Sequence, residues 1–157
     1  MQVDYIYPFL QSMSNVLATM ARLDVDSGKP ALKMDNISHG DVSGIVVMNS
    51  VQIKGSMAIS FPKAVILEVA KRMLLDDFTE IDETITDLVG ELTNMVTGGA
   101  KKLLVPLGYD IGMSTPIVVA GPNHQIIHPT DGPKICVPFS TEAGVFFVEV
   151  SFQKNND

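Results

Sequence analysis

The chain has 157 residues, 46% of them hydrophobic and 18% charged, the profile of a folded globular protein rather than a disordered one. Eleven basic against eighteen acidic residues leave a net charge of −7, a sign that opposes binding to nucleic acid or to an anionic membrane. The only basic pairs, Lys71-Arg72 and Lys101-Lys102, are too small to reverse that exclusion.

In chain order, Tyr5 to Leu23 reads as an amphipathic helix, with Ile6, Phe9, Leu10, Met13, Leu17 and Met20 recurring at three- and four-residue steps. Gly28-Lys29-Pro30 breaks it, and a short extended piece over Ala31 to Asn36 follows. Val42 to Met48 reads as a strand, Asn49-Ser50 as a tight turn, and the next strand alternates. Val51, Ile53, Met57, Ile59 and Phe61 point one way; Gln52, Lys54, Ser56 and Ser60 point the other. The expectation is an antiparallel hairpin with one solvated face. Pro62 opens a second helix, with Ser60 or Phe61 at its boundary, running to about Leu75. Asp82 is the expected N-cap of a third helix, which runs to about Leu104 before Pro106 and Gly108. Ile111 to Val119, Ile126-Ile127, Ile135 to Phe139 and Val145 to Phe152 are strand-like. Helices and strands come in blocks, so residues 1–157 are expected to form one α+β domain, an antiparallel β-sheet packed with three main helices.

Cys136 is the only cysteine, so neither an intramolecular disulfide nor a cysteine-based zinc site can form, and a small buried hydrophobe in a reducing compartment is expected. The start carries Asp4 and no basic region, unlike a signal peptide. The longest uncharged stretch, Ile111 to Thr130, is interrupted by Pro116, Gly121, Pro122 and Pro129 and cannot span a bilayer. A cytoplasmic protein is the expectation.

The third helix carries the functional signal. On an ideal wheel Glu91, Asn94, Gly98 and Lys101 fall within about 40° of Asp87, while Ile85, Leu88, Leu92, Val96 and Leu103 lie opposite. A plain solvated face is the bland alternative. Two features weigh against it. Asn is a poor mid-helix residue, and the glycines at 90, 98 and 99 each cost about 1 kcal/mol relative to Ala. Gly98 faces outward on the wheel, where a missing side chain lets another protein's backbone approach. From the wheel, Asp87, Gly98 and Lys101 are assigned to a partner-binding surface.

The run from Asp87 to Gly98, DLVGELTNMVTG, resembles the signature helix of the CheC/CheX/FliY family of bacterial chemotaxis phosphatases. Gly28-Lys29-Pro30, Gly55-Ser56 before Ile59-Ser60-Phe61, and Pro116 to Val119 through Gly121 extend the likeness along the chain. A single Glu-x-x-Asn is similar to the one-site CheX branch; Ser12 to Asn15 on the first helix lacks the acid. The resemblance implies a CheC-like fold and a phosphatase that accelerates hydrolysis of the aspartyl phosphate on a CheY-like receiver domain. It also implies a homodimer, for which the apolar final strand, Phe146 to Phe152, offers either an interface or simply a central strand. By the same resemblance the catalytic residues are Glu91, which pairs with the receiver's phosphate-contacting lysine, and Asn94, which orients the attacking water. The resemblance further implies that the chain itself binds no cofactor or metal and that Mg²⁺ is supplied by the phosphorylated receiver. The alternative is a non-catalytic dimeric adaptor or flagellar-switch binding module of the same fold. His124 and His128 are four apart between Gly121-Pro122 and Pro129; on a loop or short strand the two rings are expected to diverge, and a metal site lacks a third ligand.

Overall fold

The computed structural model describes residues 6–155; Asp4, and Tyr5 where the sequence pattern starts the first helix, lie outside them. Helix α1 spans Tyr7–Met20, with Pro8 in its first turn. Two short strands follow, β1 (Asp26–Ser27) and β2 (Ala31–Leu32), then the long hairpin of β3 (Val42–Asn49) and β4 (Ile53–Phe61). Helix α2 (Lys63–Leu74) and helix α3 (Glu83–Leu104) come next. A 3-10 turn over Val105–Leu107 ends at Gly108, whose φ of 93° suits glycine. Strands β5 (Gly112–Met113), β6 (Ile117–Ala120), β7 (Lys134–Thr141) and β8 (Gly144–Lys154) complete the chain.

All strand pairs are antiparallel, and the sheet runs β1-β7-β8-β4-β3-β5, with β2 beside β7 and β6 beside β3. The final strand β8 lies inside this sheet, paired to β4 on one edge and β7 on the other. Its apolar sequence therefore reflects burial within the chain rather than an open edge. On one sheet face Val42, Val46, Met57, Ile59, Phe61, Val148 and Val150 are fully buried with Phe9, Met13 and Leu17 of α1, Val65 and Ile66 of α2, and Leu92 and Val96 of α3. Phe146 stacks between Phe61 and Phe139 at 5.1 Å from each ring.

The caps follow the chemistry of orphan helix-start N–H groups. Asp82 accepts from Ile85 N at 3.1 Å, as expected. Helix α2 differs: Pro62 is its N-cap residue and offers no side-chain oxygen. The acceptor comes from Asp41 just before β3, whose Oδ2 takes Lys63 N at 2.7 Å.

The second departure concerns the other sheet face. It is not solvated: Ser43, Ser56, Ala58, Ser60, Glu149 and Ser151 are all buried. Two irregular segments, residues 33–41 and 121–133, lie across it, joined by Ser38 N→His124 O at 2.8 Å and Ile126 N→Asn36 O at 2.7 Å. Val51, grouped with the core residues on alternation, sits instead at the hairpin tip and is exposed. Among the described residues no helix is long and apolar enough to cross a membrane.

Candidate functional site

Helix α3 has its inward arc fixed by Ile85, Leu88, Val89, Leu92, Thr93, Val96, Thr97, Ala100 and Leu104, all buried. That arc is wider than the Leu/Ile/Val stripe of the sequence, because Thr93 and Thr97 belong to it. Their hydroxyls are satisfied within the helix, Thr93 Oγ1 donating to Val89 O at 2.7 Å and Thr97 Oγ1 to Thr93 O at 3.0 Å. A threonine whose hydroxyl bonds back to its own helix can enter a core, so polarity alone hid these two positions.

Asp87, Glu91, Asn94, Gly98 and Lys101 are all exposed on the remaining face. The strip from Asp87 to Lys101 is about 21 Å long at 1.5 Å per residue. Glu91 and Asn94, three apart, stand with Cβ atoms about 5–6 Å from each other. The side chains of Asp87, Glu91, Asn94 and Lys101 make no hydrogen bond or ion pair among the described residues. A carboxylate and an amide are thus presented side by side, both free to engage another molecule. The amide can accept from a water and donate to a phosphoryl oxygen at once.

The three glycines of α3 separate by geometry. A Cβ at Gly99 would overlap Ser12 Oγ of α1, whose hydroxyl donates to Val96 O at 2.7 Å; this glycine lets two helices close. A Cβ at Gly90 would rest in ordinary contact, 3.6 Å from Val118 Cγ2 of β6. At Gly98 nothing lies within 4 Å, so packing inside the chain gives no reason for a glycine there.

The other titratable cluster lies behind the sheet. Lys33 Nζ meets Glu149 Oε2 at 2.7 Å, His128 Nε2 meets Glu149 Oε1 at 3.1 Å, and His128 Nδ1 shares a 2.5 Å hydrogen bond with Ser56 Oγ. Burial acts to raise the Glu149 carboxyl, but the hydrogen bonds and charges of His128 and Lys33 outweigh it and hold the group below its ordinary range. Ser56, His128 and Glu149 follow the order of a hydrolase relay, yet Ser56 is wholly enclosed in the middle of β4 and no substrate can reach it. His124 Nε2 bonds Ser43 Oγ at 2.6 Å and its Nδ1 bonds Gly121 O at 2.8 Å. The two rings do not diverge to opposite sides: both turn inward and reach different serines, since positions four apart in an extended segment share a face. Among the described residues no three His, Cys, Asp or Glu side chains gather as a metal site. Burial pushes the Cys136 thiol up to about 11, with Glu149 adding to the shift and Lys33 opposing it, so the thiol is unreactive at neutral pH.

Comparison with known proteins converges on the same helix-bearing fold. A family model described as chemotaxis phosphatase CheX matches residues 42–140. A CheC-like superfamily protein from Shewanella sp. PV-4 is 54% identical with a TM-score of 0.91, covering 98% of this chain and 99% of its own. The CheY-P phosphatase CheX of Thermotoga maritima is 26% identical over 128 residues, 80% of this chain and 81% of that protein. The structure of a CheX-CheY-BeF3-Mg²⁺ complex from Borrelia burgdorferi matches with 26% identity and a TM-score of 0.80, over 97% of this chain and 99% of that one. With an antiparallel sheet backed by three helices and a model match across most of its length, the chain belongs to the CheX family of chemotaxis phosphatases.

Proposed function

We propose that this chain dephosphorylates a CheY-like response regulator by docking the exposed strip of α3 against the receiver's aspartyl phosphate, with Asn94 and Glu91 as the catalytic pair. The observation that carries the reading is the side-by-side, uncommitted presentation of these two side chains on the free face of a helix that is otherwise anchored in the core. Phosphoryl transfer depends on positioning and electrostatics more than on covalent help. Asn94 accepts from the attacking water through its carbonyl oxygen and holds it in line, while its NH₂ donates to a phosphoryl oxygen. Glu91 takes the receiver's phosphate-contacting lysine as an ion pair, which orients the two proteins. Asp87, Gly98 and Lys101 extend the contact surface along the helix. Support for the partner class comes from the relatives, one named a CheY-P phosphatase and one solved with CheY, BeF3 and Mg²⁺. The Mg²⁺ of the reaction belongs to the phosphorylated receiver, as part of the substrate, and no nucleophile on this chain is needed.

The test is the decay of a phosphorylated, Mg²⁺-loaded receiver with wild type and Asn94→Ala in parallel. Asn94→Ala is expected to lose most of the acceleration, about 100-fold or more given the weight of positioning in such reactions, while its unfolding midpoint holds or rises slightly, because the side chain is exposed and Ala is the better helix former. Wild-type acceleration by Asn94→Ala would remove Asn94 from the mechanism; no acceleration by either protein with any receiver of the cell would favour the adaptor reading.

Self-association is part of the same proposal. The segments covering the outer sheet face turn Met34, Ile37 and Ile127 outward into solvent, an apolar set suited to a second copy. Sedimentation is expected to show a dimer, and Met34→Glu with Ile127→Glu to yield a monomer.

A further inference from the structure

Resting on that reading of Asn94, we propose that Gly44 of β3 and Thr93 of α3 form a seat that sets the depth and roll of α3 and so places the Asn94 amide; both are positioning residues. Gly44 sits mid-strand, paired with Ile59 of β4 and Val118 of β6. A Cβ at Gly44 would overlap Thr93 Oγ1 and stand 3.1 Å from Thr93 Cβ and 3.2 Å from Val89 Cγ1. Thr93 is completely buried, and its hydroxyl is already satisfied by Val89 O at 2.7 Å. Its contact with the strand is therefore one of shape: the missing side chain at Gly44 is the hollow that receives Thr93.

The neighbouring contact is looser. Val118, beside Gly44 in the sheet, fits against Gly90 of the helix. Thr93 in its hollow and Gly90 against Val118 hold the turn that carries Glu91 and leads into Asn94. From the other side Thr97 Oγ1 donates to Asn94 O at 3.1 Å as well as to Thr93 O, so the peptide that bears the amide is held on both flanks. Thr93 points in and Asn94, the next residue, points out; a shift of the seat passes directly to the catalytic side chain because a packed helix moves as a unit. A methyl at Gly44 forces either an outward shift of α3 or rotation of Thr93 with loss of its hydrogen bond. A displacement of about 1 Å at a positioned group can cost about 100-fold in rate.

The experiment measures kcat, KM for the phosphorylated receiver, and unfolding midpoint for Gly44→Ala, Thr93→Ala, Thr93→Val and the Gly44→Ala/Thr93→Ala pair, with Asn94→Ala as reference. Gly44→Ala is expected to lower kcat by about 10-fold or more with KM changed less than about twofold, since the exposed strip keeps its own side chains. The paired variant, which removes the Thr93 hydroxyl and γ-methyl as it adds a methyl on the strand, is expected to restore kcat to within about threefold of wild type. Thr93→Val keeps the knob's shape and is expected to keep kcat. A folded Gly44→Ala enzyme with wild-type kcat, or a paired variant that regains stability without regaining kcat, overturns the seat. If Gly44→Ala does not fold, wild-type kcat in both the paired variant and Thr93→Val supports the seat, and a reduced kcat in either overturns it. Full activity of Asn94→Ala would instead sink the underlying reading, so the two failures are distinct.

Discussion

Gly98 and Gly99 are adjacent and chemically identical, yet the structure gives them opposite reasons to exist. Gly99 lies under Ser12 of α1, where a Cβ would overlap the hydroxyl that holds Val96 O. Gly98 faces open space. Gly98→Ala should therefore stabilise the isolated protein by about 0.5–1 kcal/mol through helix propensity and reduced unfolded-state freedom. Gly99→Ala should destabilise it, the overlap with Ser12 exceeding the propensity gain. Urea unfolding of the two variants reads the sign directly. If Gly98 is a contact for the receiver's backbone, the stabilised Gly98→Ala protein pays with a lower kcat/KM, a combination that a purely structural glycine would not show. The wheel separated the exposed strip correctly because α3 is long, capped by Asp82 and regular. It did not find Thr93, whose polar type argued for the surface, nor Gly44, whose role exists only where a strand and a helix meet.

At the scale of elements, the helices and long strands were legible from period alone, and the hairpin of β3 and β4 was read with its true core face. Its outer face was not. Lys54, Ser56 and Ser60 alternate as a solvated strand would, and nothing local says that residues 33–41 and 121–133 will lie over them. The one available signal was the run His124, Ile126, His128, whose one-in, one-out spacing suits an extended segment pressed on a sheet. The cover is held by a buried ion pair, Lys33 with Glu149, and by His128 between Glu149 and Ser56. This arrangement predicts an acid limb of stability. Glu149 is held below its ordinary range in the folded chain, so its contribution is fully present above the unfolded carboxyl value of about 4.3. As pH falls through that value the unfolded chain takes up the proton first, and stability drains until the folded carboxyl protonates as well. Urea midpoints from pH 6 downward should fall more steeply for wild type than for Glu149→Gln, which cannot titrate; parallel curves would assign the acid limb to other carboxylates.

For the molecule as a whole, the sheet divides two tasks. Its helical face carries the core and, beyond it, the α3 strip; its outer face carries a closed polar layer in which Ser38, Ser43, Ser60 and His124 form one network and Lys33, Glu149, His128 and Ser56 another. The described buried side-chain polar atoms all have partners, the condition under which such a layer specifies one arrangement of its cover rather than costing stability. Removing one charge breaks that condition. Lys33→Met leaves the Glu149 carboxylate buried without its cation and should cost about 3–5 kcal/mol. Adding Glu149→Gln removes both charges, keeps a carbonyl oxygen for the His128 N–H, and should recover most of that loss, because a neutral replacement of a buried pair is often close to balanced. The sheet lies between this layer and Asn94, and the two sites share no partner. The double variant should therefore dephosphorylate the receiver at the wild-type rate, and its stability change should add to that of Asn94→Ala within about 0.5 kcal/mol. A fall in kcat on neutralising Lys33 and Glu149, at a temperature where the variant is folded, would mean that the cover and the α3 strip are coupled through β3 and β4, and that the two faces do not work independently.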